Sequence, residues 1–340
     1  MAPYKILLCI FIFLHCASAT ALSSRDSLSC EMTGGAALTF FHGSGAKASE
    51  NGLLIGSLDH AFSDNVHALF AVRCGATGSP LIEEAAIQWQ SRQTHLSGGF
   101  LSNRYGFDKL YRPHSLFNFL FDKPVLWDMY GFGATLNQRF SRGLGMTAAS
   151  SINSRESGQA HLMLAMDLPR VQAGVLFGVQ TYTIENQDNS LTGGFDVCAQ
   201  RAWFQVHATL KYVDYRGFGH SANPTMVPGK STTGFLEFSA LPVSDFELCG
   251  MSYYQISQKR FNHEFFFEGL DVSWMLLTHF GLGGGCEWQK DDDILSLMPR
   301  LFFRAVPVRN HTDIRISLMP TIIDHTATSW RLTGEIWICL

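Results

Sequence analysis

The chain has 340 residues, of which 16% are charged and 13% aromatic, with 27 Phe and a formal net charge of −4. That acidic balance excludes nucleic acid as a partner, and the charge content, against ~25% in typical soluble domains, is too small to coat a soluble protein of this size. No Pro/Ser-rich linker or break in composition divides the sequence, so a single domain is expected after any leader.

The leader comes first. Residues 1–19 read as a secretory signal peptide: Lys5 supplies the positive n-region, residues 6–16 the apolar h-region, and Ala17-Ser18-Ala19 the small-residue cleavage site. The apolar run falls short of the ~20 residues that a spanning helix needs. Residues 20–340 hold six cysteines with no CxxC or zinc-knuckle spacing, so no metal site is expected. Several of these cysteines read as small buried or lipid-facing side chains rather than disulfides.

Beyond the leader, candidate strands follow one another, separated by clusters of Gly, Asn, Asp, Ser and Pro. They lie near 36–42, 53–62, 66–74, 82–90, 96–101 and 131–140. The next are near 144–153, 159–168, 171–183, 195–200 and 202–214. The series ends with 233–241, 246–258, 265–276, 279–289, 295–307, 312–324 and 329–340. Apolar residues fall on every second position in the clearest of them. Phe204, Val206, Ala208, Leu210 and Tyr212 alternate with Gln205, His207, Thr209 and Lys211. Val171, Ala173, Val175, Phe177 and Val179 alternate with Gln172, Gly174, Gly178 and Gln180, and Ile314, Ile316 and Leu318 with Asp313, Arg315 and Ser317. Side chains alternate faces along a strand, so each run has one apolar and one polar face.

The most apolar stretch after the leader, residues 270–286, is interrupted by Asp271, His279 and four glycines, which a helix in lipid tolerates badly. In a membrane, only a closed barrel then satisfies every backbone N–H and C=O. The expected fold is all-β, a single transmembrane antiparallel β-barrel over residues 20–340. About 16 strands are expected, within 14–18, because such barrels use even numbers. Tight turns are expected at 167–170, 141–143 and 241–245, and longer polar loops at 185–192 and 216–232, an asymmetry between the two rims typical of outer-membrane barrels.

Residues 102–128 break the rhythm. They carry Pro113 and Pro124, lack period-2 alternation, and hold Phe107, Leu110, Tyr111, Phe117 and Trp127. A long loop this hydrophobic must pack against something; the sequence leaves open an inward constriction or a rim loop. Folded inward, it would bring Arg104, Lys109, Arg112 and Lys123, together with Asp108, into the pore. The segment from Arg104 to Arg112 carries three positive charges and one negative, which would give a mild anion preference.

In the last strand, Trp330, Leu332, Gly334, Ile336, Ile338 and Leu340 share one face, and Arg331, Thr333, Glu335, Trp337 and Cys339 the other. A chain ending on an alternating strand resembles outer-membrane barrel proteins, whose assembly machinery reads that strand, although Leu340 replaces the usual terminal aromatic. The stretch from Glu83 to Gln90, then Leu96-Ser97-Gly98-Gly99-Phe100, Arg104-Tyr105-Gly106, Pro113-His114 and 127–131, resembles porins of the phosphate-selective O/P type. Here the turn lacks that family's proline. The resemblance implies a water-filled channel and no ligand identity.

Catalytic chemistry is not expected. There is no G-x-S-x-G, and Gly219-His220-Ser221 lacks a nucleophile elbow. Asp291-Asp292-Asp293 lacks the spaced ligands of a calcium loop and reads as a solvated turn. No cofactor is expected. The expected lumen lining includes Gln172, Gln180, Gln205, His207, Lys211 and Arg315. Trp89, Trp203, Trp288, Trp330, Tyr130, Tyr182 and Tyr212 are candidates for interfacial girdles, with Trp203 on the polar parity of its strand.

The expected function is passive diffusion of small polar solutes or ions across an outer membrane. A closed barrel with a structural or surface-binding role, or a secreted soluble β-sandwich binding carbohydrate, are the alternatives. Expected partners are outer-membrane lipids, the barrel assembly machinery and small solutes, with self-association into a homo-oligomer left open.

Overall fold

The computed structural model describes residues 26–43, 45–75, 81–104, 128–140, 143–152, 157–182, 190–214, 230–258, 262–307, 312–323 and 326–339. The expected leader lies outside them. The described residues form 18 strands: β1 (Asp26–Phe41), β2 (Gly45–Ser63), β3 (Val66–Gly75), β4 (Leu81–Gln90), β5 (Thr94–Arg104) and β6 (Asp128–Arg139). Next come β7 (Leu144–Ile152), β8 (Ser157–Leu168), β9 (Val171–Tyr182), β10 (Ser190–Arg201), β11 (Phe204–Asp214) and β12 (Lys230–Val243). The last are β13 (Phe246–Gln258), β14 (Asn262–Leu277), β15 (Phe280–Asp291), β16 (Ile294–Ala305), β17 (Thr312–Ile323) and β18 (Thr326–Cys339).

Each strand pairs antiparallel with its sequence neighbours, and β1 pairs with both β2 and β18, so the sheet closes on itself. Closure removes the free edges that would otherwise expose unpaired N–H and C=O groups. The seam runs from Glu31 opposite Cys339 to Phe41 opposite Ser329. On its inner side the Trp337 indole N–H donates to the Glu31 carboxylate at 2.7 Å.

The connections sort by rim. Two-residue turns at Asp64-Asn65, Pro169-Arg170, Ala202-Trp203, Ser244-Asp245 and Thr278-His279 lie at one end, which also holds the start of β1 and the end of β18. The two longest connections, 105–127 and 215–229, both leave the opposite end. Register shifts at Ala61/Ser63, Ala240/Val243 and Met275/Leu277 sit beside turns on the short-turn rim, where an extra residue increases local twist and closes the strand into its turn.

The two faces are inverted relative to a soluble protein. On the outward parity, Leu301 is 71% exposed, Phe132 69% and Ile152 67%, whereas the inward Asp196 and Glu237 have no exposed surface. An apolar exterior around a polar interior is stable only where lipid, not water, bathes the outside. Aromatics collect at two levels of this exterior. Trp89, Trp203 and Trp274 are exposed near the short-turn rim, where Phe280 also stacks on Phe303. Trp330 and Tyr212 are exposed towards the other rim, with Trp288 edge-on to Phe266 and Phe266 to Tyr254. The side chains of Tyr130 and Tyr182 lie outside the described residues.

Glycine is required where strands approach closely. Gly99 has φ +140, and a Cβ there or on Gly133 would run into the carbonyl oxygen of Ala85 or Ser150 respectively.

The barrel replaces the β-sandwich alternative. The 18 strands correspond one to one with the 18 segments read from sequence, two more than the central expectation of 16. β1 begins ten residues earlier than its apolar alternation suggests. Trp203 lies in a turn and is exposed rather than inside, because its strand starts at Phe204.

Candidate functional site

The inner wall is built from whichever parity of each strand carries polar side chains. Its three clusters of paired charges lie on β10–β17, and Glu31 on β1 and Glu335 on β18 also face inward. On β11, His207 is buried with a carboxylate at each ring nitrogen: Nε2 lies 2.5 Å from Asp196 Oδ1 on β10, and Nδ1 lies 3.1 Å from Glu237 Oε1 on β12. A ring protonated on both nitrogens donates to both partners. Register explains the meeting, because His207 sits directly opposite Glu237.

A second triad follows four strands on. The buried Arg300 guanidinium on β16 donates from Nε to Asp271 Oδ1 on β14 at 2.8 Å and from a terminal nitrogen to Glu287 on β15. Gly285 stands opposite both Asp271 and Arg300, and its missing side chain leaves the room that the Asp271 carboxylate occupies. Planar donors with fixed directions suit such two-carboxylate contacts better than an ammonium would. The third cluster lies nearer the short-turn rim. Arg304 donates to Glu247 at 2.6 Å and to Asp313 at 2.9 Å, and Arg315 donates to Asp313 at 3.1 Å while standing over the Phe302 ring.

The wall is not uniformly polar. Phe235, Cys249, Met251, Tyr253 and Phe267 form a dry patch on β12–β14, with Phe265 packed against it and Phe235 edge-on to His207. The wall of β5–β9 is different again, lined by small residues and amides. There a recess of about 820 Å³ opens near the short-turn rim, bordered by His95, Asn137, Thr147, Asp167 and Gln172 among others. Thr147 donates to Asn137 at 2.7 Å, and Gln172 to Asp167 at 3.1 Å.

The residues expected from sequence to line the lumen divide between these regions. Gln172 borders the recess, and Gln180 stands opposite Gln159 and Ser190. Gln205 stands opposite Gln200 and Ser239, and Lys211 opposite Gly194 and Thr233. His207 and Arg315 belong to the first and third charge clusters. Of the expected constriction residues, Arg104 closes β5, with its backbone paired to Asp128. Asp108, Lys109, Arg112 and Lys123 lie outside the described residues.

Reading by strand alternation missed Asp196, Glu237, Glu247, Asp271, Glu287, Arg300 and Arg304. A signal was present in part: Phe195-Asp196-Val197, Leu236-Glu237-Phe238 and Leu270-Asp271-Val272 each set one acid between two apolar residues of opposite parity. Among the described residues, His263, Asp291 and Asp292 approach one another at the rim, but all three are exposed. Asp291 is engaged with the His263 ring and Asp292 accepts from the Glu264 backbone N–H. Cys286 is a free thiol.

No family model matches the sequence, and no curated relative does. Solved structures do resemble the fold. OccAB4 of Acinetobacter baumannii matches with a TM-score of 0.55 at 9% identity, covering 93% of this chain and 98% of its own. OccK1 (OpdK) of Pseudomonas aeruginosa matches with a TM-score of 0.56 at 9% identity and the same coverage. The outer-membrane protein OmpT of Vibrio cholerae, in its trimer form, matches with a TM-score of 0.57 at 8% identity, covering 93% and 100%. The chain therefore has the closed antiparallel fold of outer-membrane porin-type barrels.

Proposed function

We propose that the protein is an outer-membrane channel, exported by a cleaved leader, through which small polar solutes or ions diffuse passively. The observation that carries this reading is the inversion of faces: exposed Leu, Ile and Phe side chains outside, and Asp, Glu, Arg, His and hydroxyl groups inside a closed 18-stranded wall. A barrel that only anchored a surface would not need ten charged or titratable groups arranged within its interior. The proposed lining comprises the charge clusters of β10–β17 and the amide-rich recess of β5–β9, with residues 102–128 as the constriction. A kinship with phosphate-selective O/P porins is the narrower form of the proposal; it rests on the motif between residues 83 and 131 alone and carries no ligand identity.

The complete burial of Asp196 and Glu237 favours a second reading, a closed barrel with a structural or surface-binding role. Two measurements separate these. The protein should fractionate with outer membranes and resist extraction by carbonate. In planar bilayers the purified protein should give discrete conductance steps. Membrane localisation with a silent bilayer supports the closed barrel, and recovery from the soluble periplasm would overturn both.

A further inference from the structure

The charge clusters share one composition. Each basic group is bracketed by acids: His207 by Asp196 and Glu237, Arg300 by Asp271 and Glu287, and Arg304 by Glu247 and Asp313, the last of which also holds Arg315. Six carboxylates thus face three guanidiniums and one imidazole. Even with the imidazole charged, the clusters carry two more negative charges than positive; on the same parity elsewhere, Lys211 and Arg331 are matched in number by Glu31 and Glu335.

The surplus belongs to the first two clusters, because Arg304 and Arg315 balance Glu247 and Asp313 in the third; the members of those two lie three to seven residues from the short-turn ends of their strands. Register runs straight across the sheet from His207 to Glu237, then through Met251 and Gly269 to Glu287. Asp271 is two residues further along the same face of β14, opposite Cys249. The excess charge therefore sits in a belt from β10 to β16, further from the short-turn rim than the third cluster.

We infer that this belt makes the barrel a cation-preferring channel, so that its solutes are inorganic cations and small organic cations rather than anions. The inference rests on the channel reading above. Charge set in a low-dielectric wall focuses its field into the water beside it, and clefts of this kind reach potentials of several kT. A potential of only about one kT already enriches a monovalent cation ~threefold and depletes an anion as much. An approaching anion gains little from the arginines. Their N–H groups already point at carboxylates, with Arg304 within 2.9 Å of both Glu247 and Asp313. The preference runs opposite to the one that an inward-folded 102–128 segment would give.

The test is the reversal potential across a KCl gradient in planar bilayers. Wild type should favour K⁺ over Cl⁻ by about sevenfold for a potential of one kT. Glu247→Gln, at a half-buried position where Arg304 keeps Asp313, should lower the ratio towards one. Arg304→Gln should raise it, while Arg104→Glu/Arg112→Glu should change it less than Glu247→Gln does. Heat-dependent gel migration checks that each variant is folded. Glu237→Gln, if it folds, should act as Glu247→Gln does; if it does not, Glu247→Gln carries the test. A conducting wild type with no preference or with anion preference overturns the inference while leaving the channel reading intact. So does a ratio that moves only in the Arg104/Arg112 variant. Folded protein that never conducts overturns both.

Discussion

Replacing Val175 by Arg tests the assignment of faces on which the rest depends. Val175 lies on β9, is 48% exposed, and stands opposite Leu164 on β8 and Phe195 on β10, both exposed and apolar. It is four residues from the start of β9 at the short-turn rim. At ~3.4 Å per residue and a tilt of ~40° in an apolar band about 25 Å tall, that places it ~10 Å up, within a few Å of the midplane. An Arg there costs ~2–4 kcal/mol, or a factor of roughly 30 to 1,000 in the folding equilibrium. Gln180 on the same strand has the opposite parity, and Gln180→Arg can keep its guanidinium in water, so its cost should be ~1 kcal/mol or less. The assay is equilibrium denaturant unfolding in lipid vesicles, followed by Trp fluorescence and protease protection. Equal destabilisation of the two variants would refute the assignment, and a larger cost at Gln180 would mean that the polar face is outside.

Arg300→Met should cost ~3–5 kcal/mol, because it leaves Asp271 and Glu287 buried without their cation; restoring stability in Arg300→Met/Asp271→Leu/Glu287→Leu would show that the loss comes from unpaired charge, and a silent single variant would show that the triad is solvated. Trp337→Phe keeps the ring at the β1–β18 seam but removes the donor to Glu31, and should lower stability by ~1–3 kcal/mol, read from the midpoint of the same unfolding curve; a larger loss would mean that packing at the seam dominates. Gly133→Val places a Cβ on the Ser150 carbonyl and should sharply reduce the folded fraction on semi-native gels, whereas Ala134→Val, outward on the same strand, should be tolerated.

Much of the architecture is legible in the sequence because a strand with lipid on one side and polar groups on the other must alternate with period two. That period marks Val171–Tyr182 and Phe204–Asp214 without any knowledge of their neighbours. It also gives parity within each strand, which is why Val175 and Gln180, or His207 and Leu210, can be assigned to opposite faces from the chain alone. It fails for residues 26–35, Asp-Ser-Leu-Ser-Cys-Glu-Met-Thr-Gly-Gly, where small and polar residues fall on both parities. Those residues are strand because β2 lies along them, and from Glu31 onward β18 as well.

What alternation cannot supply is register, since it says which way a side chain points and not what it meets. Asp196, His207 and Glu237 are 11 and 30 residues apart in sequence, and Asp271, Glu287 and Arg300 come from three different strands. Only backbone pairing across neighbouring strands brings each set within hydrogen-bonding distance. A barrel wall with one apolar and one polar face follows from the chain alone; which charges meet on that polar face depends on how neighbouring strands pair. Pairing distance is a property of the closed sheet, and no strand carries it alone.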